Sequence, residues 1–297
     1  MLRFTIVWFL EWIWCLSNII LKPRKLTYKK GFSREIKCNT FDHKAYEEWV
    51  KTSFRINSNG YVLSCEKYEL PNAYRKEEKK VAILCHGFGC AKYQSIKYAQ
   101  LFIKLGYIVL NYDHRNHGMS GKAHTTMGYY EKYDLKSVVS WCKKEYGEEC
   151  KIVTHGESMG AATVLLHSEI DKRIDCVIAD CAYSDLKKLL RHQMKQFFHL
   201  PKALIPIENL LIYLRAGFWF EQVSPIHAVK NSELPVLFIH GKRDNFVPAS
   251  MSIDMYRAKK KNKALYLVGK AKHAESYCIN SKGYEEKVSR FLKRYIK

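Results

Sequence analysis

From about residue 80 onward, short apolar runs alternate with longer amphipathic stretches along the chain. Runs that lack polar alternation are typical of parallel strands that helices cover on both faces. Such runs predict strands at 81–85, 107–111, 152–154, 177–179, 236–239 and 265–268. Ahead of them, two further segments flank an Asn59-Gly60 pair, which favours the tight turn of a β-hairpin. The pattern therefore predicts an α/β fold with a mostly parallel central sheet and helices on both faces.

The alternation lapses between about residues 185 and 234, in a segment rich in leucine and aromatic residues. About fifty residues between two core strands are too many for a tight loop, so we expect a helical cap insertion over one edge of the sheet. Its aromatic side chains either pack the cap onto the main domain or form a wall for an acyl chain, and the sequence favours neither. With this insertion, residues 31–297 are expected to form one domain.

Residues 4–21 are strongly apolar and rich in tryptophan, and a cluster of lysine and arginine residues follows them. The segment is near the minimum length that spans a bilayer, while Glu11 and Asn18 share one helical face, as in a helix at the membrane surface. We predict that residues 1–30 form a membrane anchor or interfacial helix, and the alternative is a helix packed on the protein's own core. A cleaved signal peptide fits less well, because the basic residues follow the apolar run. The basic flank favours a cytoplasmic main domain.

The formal net charge is +21, from 50 Lys and Arg against 29 Asp and Glu. A field of this sign attracts anionic surfaces such as acidic lipid headgroups. No nucleic-acid-binding motif accompanies the charge, so we expect an anionic membrane surface as a partner and no nucleic acid. The ten cysteines are scattered without the spacing of a zinc site. We expect buried free thiols, for example at Cys85, Cys176 and Cys181.

A G-x-S-x-G sequence, Gly156-Glu157-Ser158-Met159-Gly160, follows the apolar run at 152–154 and precedes small helix-forming residues. A nucleophile elbow requires this context of strand, sharp turn and helix. The two glycines are needed because a Cβ at either position would collide with the neighbouring strand or helix. We predict that Ser158 is a nucleophile, and that the Met159 N–H at the helix start faces a developing negative oxygen. The motif alone is equally compatible with a packing role, so the assignment of a nucleophile depends on the residues in the loops at the other strand ends.

The loops after the first two parallel strands supply further candidates. His86-Gly87-Phe88-Gly89 follows the strand at 81–85, and its glycines allow the Phe88 N–H to join that of Met159 in an oxyanion hole. His86 itself is expected to hold this loop in place. The turn from Asp113 to Ser120 is interpreted as structural bracing. A weaker alternative, because the elbow already accounts for activation of the nucleophile, is a metal site with ligands Asp113, His114 and His117.

An aspartate and a histidine follow the last two predicted strands. Asp244 comes after the strand at 236–239, and His273 lies in the loop after the strand at 265–268. Taken singly, Asp244 is equally a helix cap and His273 a surface residue. Reactive groups collect at the carboxyl ends of parallel strands, so we expect Ser158, Asp244 and His273 to meet at one edge of the sheet. Their order along the chain is that of an α/β-hydrolase triad and not that of chymotrypsin or subtilisin.

Together these segments resemble the α/β-hydrolase superfamily from about residue 61 to residue 297. The resemblance is to its serine-hydrolase branch, near bacterial esterase-like and prolyl-aminopeptidase-like members. One departure is Asn116, which stands where this pattern has glycine, although asparagine tolerates a positive φ better than most residues. The resemblance implies a catalytic triad of Ser158, His273 and Asp244, an acyl-enzyme intermediate, and no metal or other cofactor.

The substrate class is the least determined part of this interpretation. An apolar cap, a hydrophobic N-terminus and a basic surface favour hydrolysis of carboxylic esters, with a small-molecule or lipid acyl-ester substrate at or near a membrane. A peptidase or amidase on the same triad is an alternative, and Glu157 and Glu275 are acidic candidates for holding a substrate amine. Acyl transfer to an acceptor other than water and a non-catalytic ligand-binding scaffold also remain open.

Overall fold

Eight strands form one central sheet, and the apolar runs of the sequence supply six of them. The computed structural model describes residues 2–36, 41–71 and 79–296. The strands are β1 (Val50–Ser58), β2 (Tyr61–Glu69), β3 (Lys80–Cys85), β4 (Ile108–Tyr112), β5 (Lys151–Glu157), β6 (Cys176–Asp180), β7 (Val236–Gly241) and β8 (Lys263–Val268). Their order across the sheet is β1-β2-β4-β3-β5-β6-β7-β8. The hairpin β1–β2 and the β2–β4 pair are antiparallel, and all other neighbours are parallel.

Helices cover the sheet on both faces. Their bounds are α1 (Leu2–Leu21), α2 (Tyr28–Ile36), α3 (His43–Glu48), α4 (Ile96–Lys104), α5 (Glu131–Tyr146), α6 (Met159–Ile170), α7 (Leu186–Gln193), α8 (Leu204–Ala216), α9 (Pro225–Asn231), α10 (Ser250–Ala258), α11 (Ser276–Ile279) and α12 (Ser281–Tyr295). Val81 and Ile83 of β3 pack in a layer with α5 and α6, whereas Ala82 and Leu84 pack in a layer with α4 and α12. Successive positions of β3 from Val81 to Cys85 are therefore all apolar, and the predicted α/β fold with a mostly parallel sheet is confirmed.

The segment between β6 and β7 is helical, and it lies where the cap insertion is expected. It contains α7, a π-helical turn (Met194–Phe198), α8, a 3₁₀ turn (Phe220–Gln222) and α9. Phe218 and Phe220 are fully buried in a cluster that also contains Met159 of α6. Leu210 and Leu214 of α8 are exposed. The aromatic residues nearest β7 thus attach the insertion to the main domain, and α8 keeps an apolar face toward solvent.

Helix α1 packs on α8 through one arginine. The Arg215 guanidinium lies 3.8 Å from the Trp14 ring centroid, donates to Asn18 Oδ1 at 2.7 Å and also contacts Ser17 Oγ. These contacts hold the C-terminal turns of α1 against the cap. No helix in the described ranges is both long and apolar enough to cross a bilayer.

The chain between α1 and α2 is hydrogen-bonded to the loops at the carboxyl edge of the sheet. Leu26 N–H donates to the Gly89 carbonyl at 2.9 Å, and Lys25 Nζ donates to Asn116 Oδ1 at 2.9 Å. Asn116 Nδ2 in turn donates to the Leu21 carbonyl at 3.1 Å. Residues 21–26 therefore form a strap across two loops that the sequence places at the site.

Most cysteines in the described part of the chain follow the expectation of buried free thiols, whereas Cys15 is free but exposed. Cys85, Cys176 and Cys181 are buried and free, as predicted, and five further cysteines in the described part of the chain are also free. Cys278 is disulfide-bonded. The expectation of free thiols was therefore wrong at Cys278, because a scattered cysteine pattern does not reveal which side chains meet in space.

Candidate active site

Ser158 stands at the sharp turn between β5 and α6. Its φ of 57° and ψ of −115° place a non-glycine residue in a strained region of backbone conformation. A Cβ on Gly160 would collide with the Cys85 carbonyl and lie 2.7 Å from the His86 carbonyl, while one on Gly156 would collide with the backbone of Gly160. Both positions therefore require glycine, as the sequence predicts. The strained turn lifts the serine side chain clear of the strand ends.

Three side chains from distant parts of the chain meet at this turn. His273 Nε2 lies 2.9 Å from Ser158 Oγ, and His273 Nδ1–H donates to Asp244 Oδ2 at 2.7 Å. Asp244 follows β7 and His273 follows β8, so both come from loops at the carboxyl edge of parallel strands. The structure brings together all three residues that the sequence singled out, in a continuous chain of hydrogen bonds.

Backbone and side-chain donors fix the Asp244 carboxylate. Asp244 Oδ1 accepts from Phe246 N at 2.9 Å and Val247 N at 2.8 Å, and His240 Nε2 lies 3.2 Å from Oδ2. Burial raises the pKa of Asp244, but the hydrogen bonds from His240 and His273 outweigh it, so this pKa lies below its usual range. The carboxylate is thus ionised and correctly oriented toward the imidazole at neutral pH.

His240 is a residue of the site that sequence reasoning missed. Its buried ring contacts Ser252 Oγ at 2.7 Å through Nδ1 and the Val247 carbonyl at 2.8 Å through Nε2. It thereby supports both the carboxylate of Asp244 and the loop that donates to that carboxylate. The available signal was its position near the end of a buried strand, four residues before Asp244.

The backbone of residues 87–88 runs beside the serine. A Cβ built on Gly87 would lie 3.5 Å from Ser158 Cβ, and Phe88 lines the same cavity as Ser158 and His273. Met159 is the first residue of α6, so its N–H has no acceptor within that helix. Both N–H groups that the sequence assigns to an oxyanion hole thus belong to segments adjoining Ser158.

Two neutral histidines tie the 86–89 loop to the loop after β4. His86 Nε2 accepts from His114 N–H at 3.0 Å, and His117 Nε2 accepts from Gly89 N–H at 3.2 Å. Burial lowers the pKa of His86 to about 3 and that of His117 to about 4, so both rings remain neutral acceptors. Asn116 adopts a φ of 61°, which shows that asparagine takes the positive-φ conformation at this turn. The bracing role expected for these loops is what the hydrogen bonds supply.

The serine opens into a cavity of about 450 Å³ whose wall is acidic. Glu35 of α2, Glu157 and Glu275 line it together with Phe88, Phe246 and His273. Buried Lys97 of α4 lies 2.7 Å from Glu157 Oε2 and 3.2 Å from Glu35 Oε2. Lys97 thus bridges two buried carboxylates on one side of the cavity. Neither Glu35 nor Lys97 stood out in the sequence, because neither residue belongs to a motif and only the folded chain brings α2 and α4 together.

The buried charges beside Ser158 perturb one another. Burial raises the pKa of Glu157, but the Lys97 charge outweighs this effect and the pKa is lowered. Asp180 lies next to Glu157 across the β5–β6 pair, and it also accepts from Ser276 Oγ at 3.0 Å. Burial, followed by the Glu157 charge, raises the pKa of Asp180 to about 6. A carboxyl group next to Glu157 therefore titrates in the mildly acidic range.

Within the described residues, one group of side chains has the geometry to hold a metal ion. The ligand atoms of Cys181, Asp244 and His273 lie within 4.8 Å of one another. Asp244 and His273 are already hydrogen-bonded to each other through Oδ2 and Nδ1. Asp113, His114 and His117 do not form such a group in the described part of the chain. Asp113 instead accepts from Lys92 N–H at 2.8 Å and from Met119 N–H at 3.1 Å.

Known proteins resemble this chain along most of its length. A family model described as Hydrolase_4, serine aminopeptidase S33, matches residues 76–210. The uncharacterized protein YqkD of Bacillus subtilis (strain 168) is 36% identical over 279 residues, which cover 93% of this chain and 90% of YqkD. The structure of the Pyrococcus furiosus esterase Pf2001 is 25% identical with a TM-score of 0.70, over 86% of this chain and 97% of that one.

A more distant likeness concerns the fold alone. The acylaminoacyl peptidase of Pyrococcus horikoshii is 18% identical with a TM-score of 0.65, over 86% of this chain and 44% of that one. At this identity the likeness shows a shared fold. From these matches and the elbow geometry we conclude that the chain belongs to the α/β-hydrolase superfamily and is a serine-type hydrolase.

Proposed function

We propose that this protein hydrolyses carboxylic esters by nucleophilic catalysis at Ser158. The observation that carries the proposal is the unbroken hydrogen-bond chain from Ser158 Oγ through His273 to Asp244, at 2.9 Å and 2.7 Å, beside an open cavity. A serine hydroxyl is a weak nucleophile until a base within hydrogen-bond reach takes its proton. His273 is that base in the proposal, and Asp244 is the group that orients it.

The reaction begins when Ser158 Oγ attacks the ester carbonyl carbon and its proton passes to His273 Nε2. Asp244 stabilises the imidazolium that forms, because its carboxylate is ionised and accepts from Nδ1–H. The N–H groups of Phe88 and Met159 donate to the tetrahedral oxyanion, and loss of one such donor typically costs about 100- to 1,000-fold in rate. His273 then returns the proton to the leaving alcohol, and an acyl-enzyme remains. Water, deprotonated by His273, releases the acid and restores Ser158.

Fluorophosphonate labelling followed by an ester chain-length series tests this proposal. Wild type should react with the probe, and Ser158→Ala should not. Both should have the same thermal unfolding midpoint, so that lost labelling reports the nucleophile and not the fold. Labelling of Ser158→Ala at the wild-type level would contradict the assignment. Turnover of p-nitrophenyl esters of increasing chain length then measures the depth of the acyl pocket.

A second candidate is hydrolysis of an aminoacyl amide or peptide. The acidic wall of the cavity supports it, because its described lining residues include three glutamates, Glu35, Glu157 and Glu275, and one lysine, Lys97. A site with this balance attracts a substrate ammonium group although the chain as a whole is basic. The family description as a serine aminopeptidase agrees with this chemistry. Matched leucine p-nitrophenyl ester and leucine p-nitroanilide separate the candidates: comparable kcat/KM on both substrates favours the peptidase.

We also propose that the protein works on the surface of an anionic membrane. Trp14 and Ile19 of α1 and Leu210 and Leu214 of α8 are exposed, and the chain carries a formal charge of +21. Exposed apolar side chains together with excess positive charge favour interfacial docking. Co-sedimentation with phosphatidylglycerol vesicles, compared with phosphatidylcholine vesicles, tests this. Equal retention on both, or on neither, would count against the charge argument.

A further inference from the structure

A buried carboxyl group without a partner lies between the N-terminal helix and the cap, away from the serine. Glu208 of α8 is 7% exposed, and neither of its carboxyl oxygens has a hydrogen-bond partner among the described residues. Buried polar side chains nearly always find a partner, because an unmade hydrogen bond in an apolar environment is costly. The proposed hydrolysis does not use Glu208, so this group requires a separate explanation.

Glu208 opens onto a small apolar pocket. The pocket has a volume of about 70 Å³ and is lined by Leu16 and Ile20 of α1, by Leu190 and Met194 of the cap, and by Phe220. Glu208 is the one titratable residue among those that line it. The volume is about half that of an engineered apolar cavity of about 150 Å³ that binds benzene, so it holds about three carbon atoms. Ile19 and Phe198, both about half exposed, lie at its edge and extend the apolar surface outward.

The charged neighbour of this carboxyl, Arg215, makes its contacts with other residues. The Arg215 guanidinium contacts Trp14, Ser17 and Asn18 of α1, and it does not form an ion pair with Glu208. Burial raises the pKa of Glu208 to about 7, and the Arg215 charge offsets only part of this rise. The remaining lining side chains from α1 and from the cap carry no charge. A cation that brings its own hydrogen-bond donors would therefore satisfy a group that the protein leaves unsatisfied.

We propose that this pocket binds the end of an alkyl chain that carries a primary ammonium group. The ammonium donates to the two free oxygens of Glu208, the first few carbons fill the apolar pocket, and the rest of the chain lies along Ile19 and Phe198. An ammonium group has three donors, whereas a quaternary ammonium group has none and an alcohol has one. Because the ligand contacts both α1 and the cap, its binding also holds these two elements together.

Calorimetric titration of the full chain with decylamine, below its aggregation concentration, tests this proposal. We expect one decylamine per chain. Decyltrimethylammonium, decanol and decanoate, which match its chain length but lack either the donors, the charge or its sign, should each bind at least about tenfold more weakly. Equal binding of decyltrimethylammonium would overturn the proposal, because it would show that charge and chain suffice without hydrogen bonds.

Substitution at the carboxyl provides the second arm. Glu208→Gln preserves the shape of the side chain, and it should weaken decylamine binding by about ten- to hundredfold. Glu233→Gln, which changes an exposed glutamate, should leave the affinity unchanged and serves as the matched control. Wild-type affinity should fall about tenfold from about pH 8 to about pH 6, as the ionised fraction of Glu208 falls, and Glu208→Gln should lose this dependence. If Glu208→Gln bound decylamine as tightly as wild type, the proposed site would be refuted, whatever the esterase assay shows.

Discussion

Replacing Asp180 by asparagine should stabilise the protein at neutral pH. The Asp180 pKa is about 6 in the folded protein against an ordinary value of 3.8. Each pKa unit corresponds to about 1.4 kcal/mol, so the buried negative charge costs about 3 kcal/mol once it is fully ionised. Tyr98 O–H donates to Glu157 at 2.6 Å and lies 3.2 Å from Asp180 Oδ2, so an amide N–H can donate to the phenol oxygen. The amide oxygen can still accept from Ser276.

The size of this stabilisation depends on pH. The folded pKa of Asp180 is raised, so the folded state keeps a proton that the unfolded state has already lost between about pH 4 and about pH 6. Stability attributable to this group is therefore present below about pH 4 and is lost as the pH rises through about 6. The Asp180→Asn variant lacks this titration, so its free energy of unfolding should rise relative to that of wild type between about pH 4 and about pH 6.

Guanidinium unfolding at about pH 4 and about pH 7 measures the difference. The two proteins should be similar at the lower pH, and the variant should be more stable by about 3 kcal/mol at the higher pH. Asp254→Asn, at a surface ion pair with Lys188, should change stability by less than about 1 kcal/mol at either pH. The reasoning would be refuted if Asp180→Asn had the same effect at both pH values, or if it destabilised the protein at pH 7.

Three further substitutions test the packing and charge around the serine. Gly160→Ala should destabilise the fold by about 1–3 kcal/mol and abolish probe labelling, because its Cβ would meet the Cys85 and His86 carbonyls. Chemical denaturation and fluorophosphonate labelling measure the two effects, and a variant that is both stable and fully labelled would contradict this prediction. Lys97→Met should lower the free energy of unfolding by about 3–5 kcal/mol in the same denaturation assay. Adding Glu35→Gln and Glu157→Gln should restore most of this loss of stability. Asp244→Asn should lower kcat/KM for an ester on the order of 10³- to 10⁴-fold with little loss of stability, and a smaller change would argue against its orienting role.

The strands and their reactive loops could be predicted from the sequence because local signals determine them. The run from Val81 to Cys85 in β3 is apolar throughout because both faces of the strand are covered. The G-x-S-x-G sequence marks the elbow locally, and a Cβ on Gly156 would meet the nearby Gly160 backbone, whereas one on Gly160 would meet the Cys85 and His86 carbonyls at the end of β3. Asp244 and His273 could be identified because the carboxyl ends of parallel strands lie at one edge of the sheet. This is a general property of the fold class, so no knowledge of individual contacts is needed.

The residues that sequence reasoning missed act across long distances along the chain. Glu35 and Glu157 both contact Lys97 only because the fold brings α2 and β5 to the start of α4, and no spacing rule connects these residues. Arg215 contacts α1 about two hundred positions away, as the hydrogen bond to Asn18 shows. Periodicity identifies such helices as amphipathic, but the partner of a given side chain depends on packing that local patterns do not encode.

The N-terminal segment takes part in the site as well as in any attachment to a surface. Leu26 is hydrogen-bonded to Gly89, in the loop that carries Phe88, and Glu35 contributes a carboxylate to the cavity wall. Removal of α1 alone would break its contacts with Arg215 and the cap, whereas removal through residue 36 would also release the 86–89 loop and leave Lys97 with one carboxylate. A loss of hydrolysis after the longer truncation therefore cannot be attributed to lost membrane contact. Only a truncation that ends before Leu21 separates the two roles, because it leaves the strap and both of its loop contacts in place.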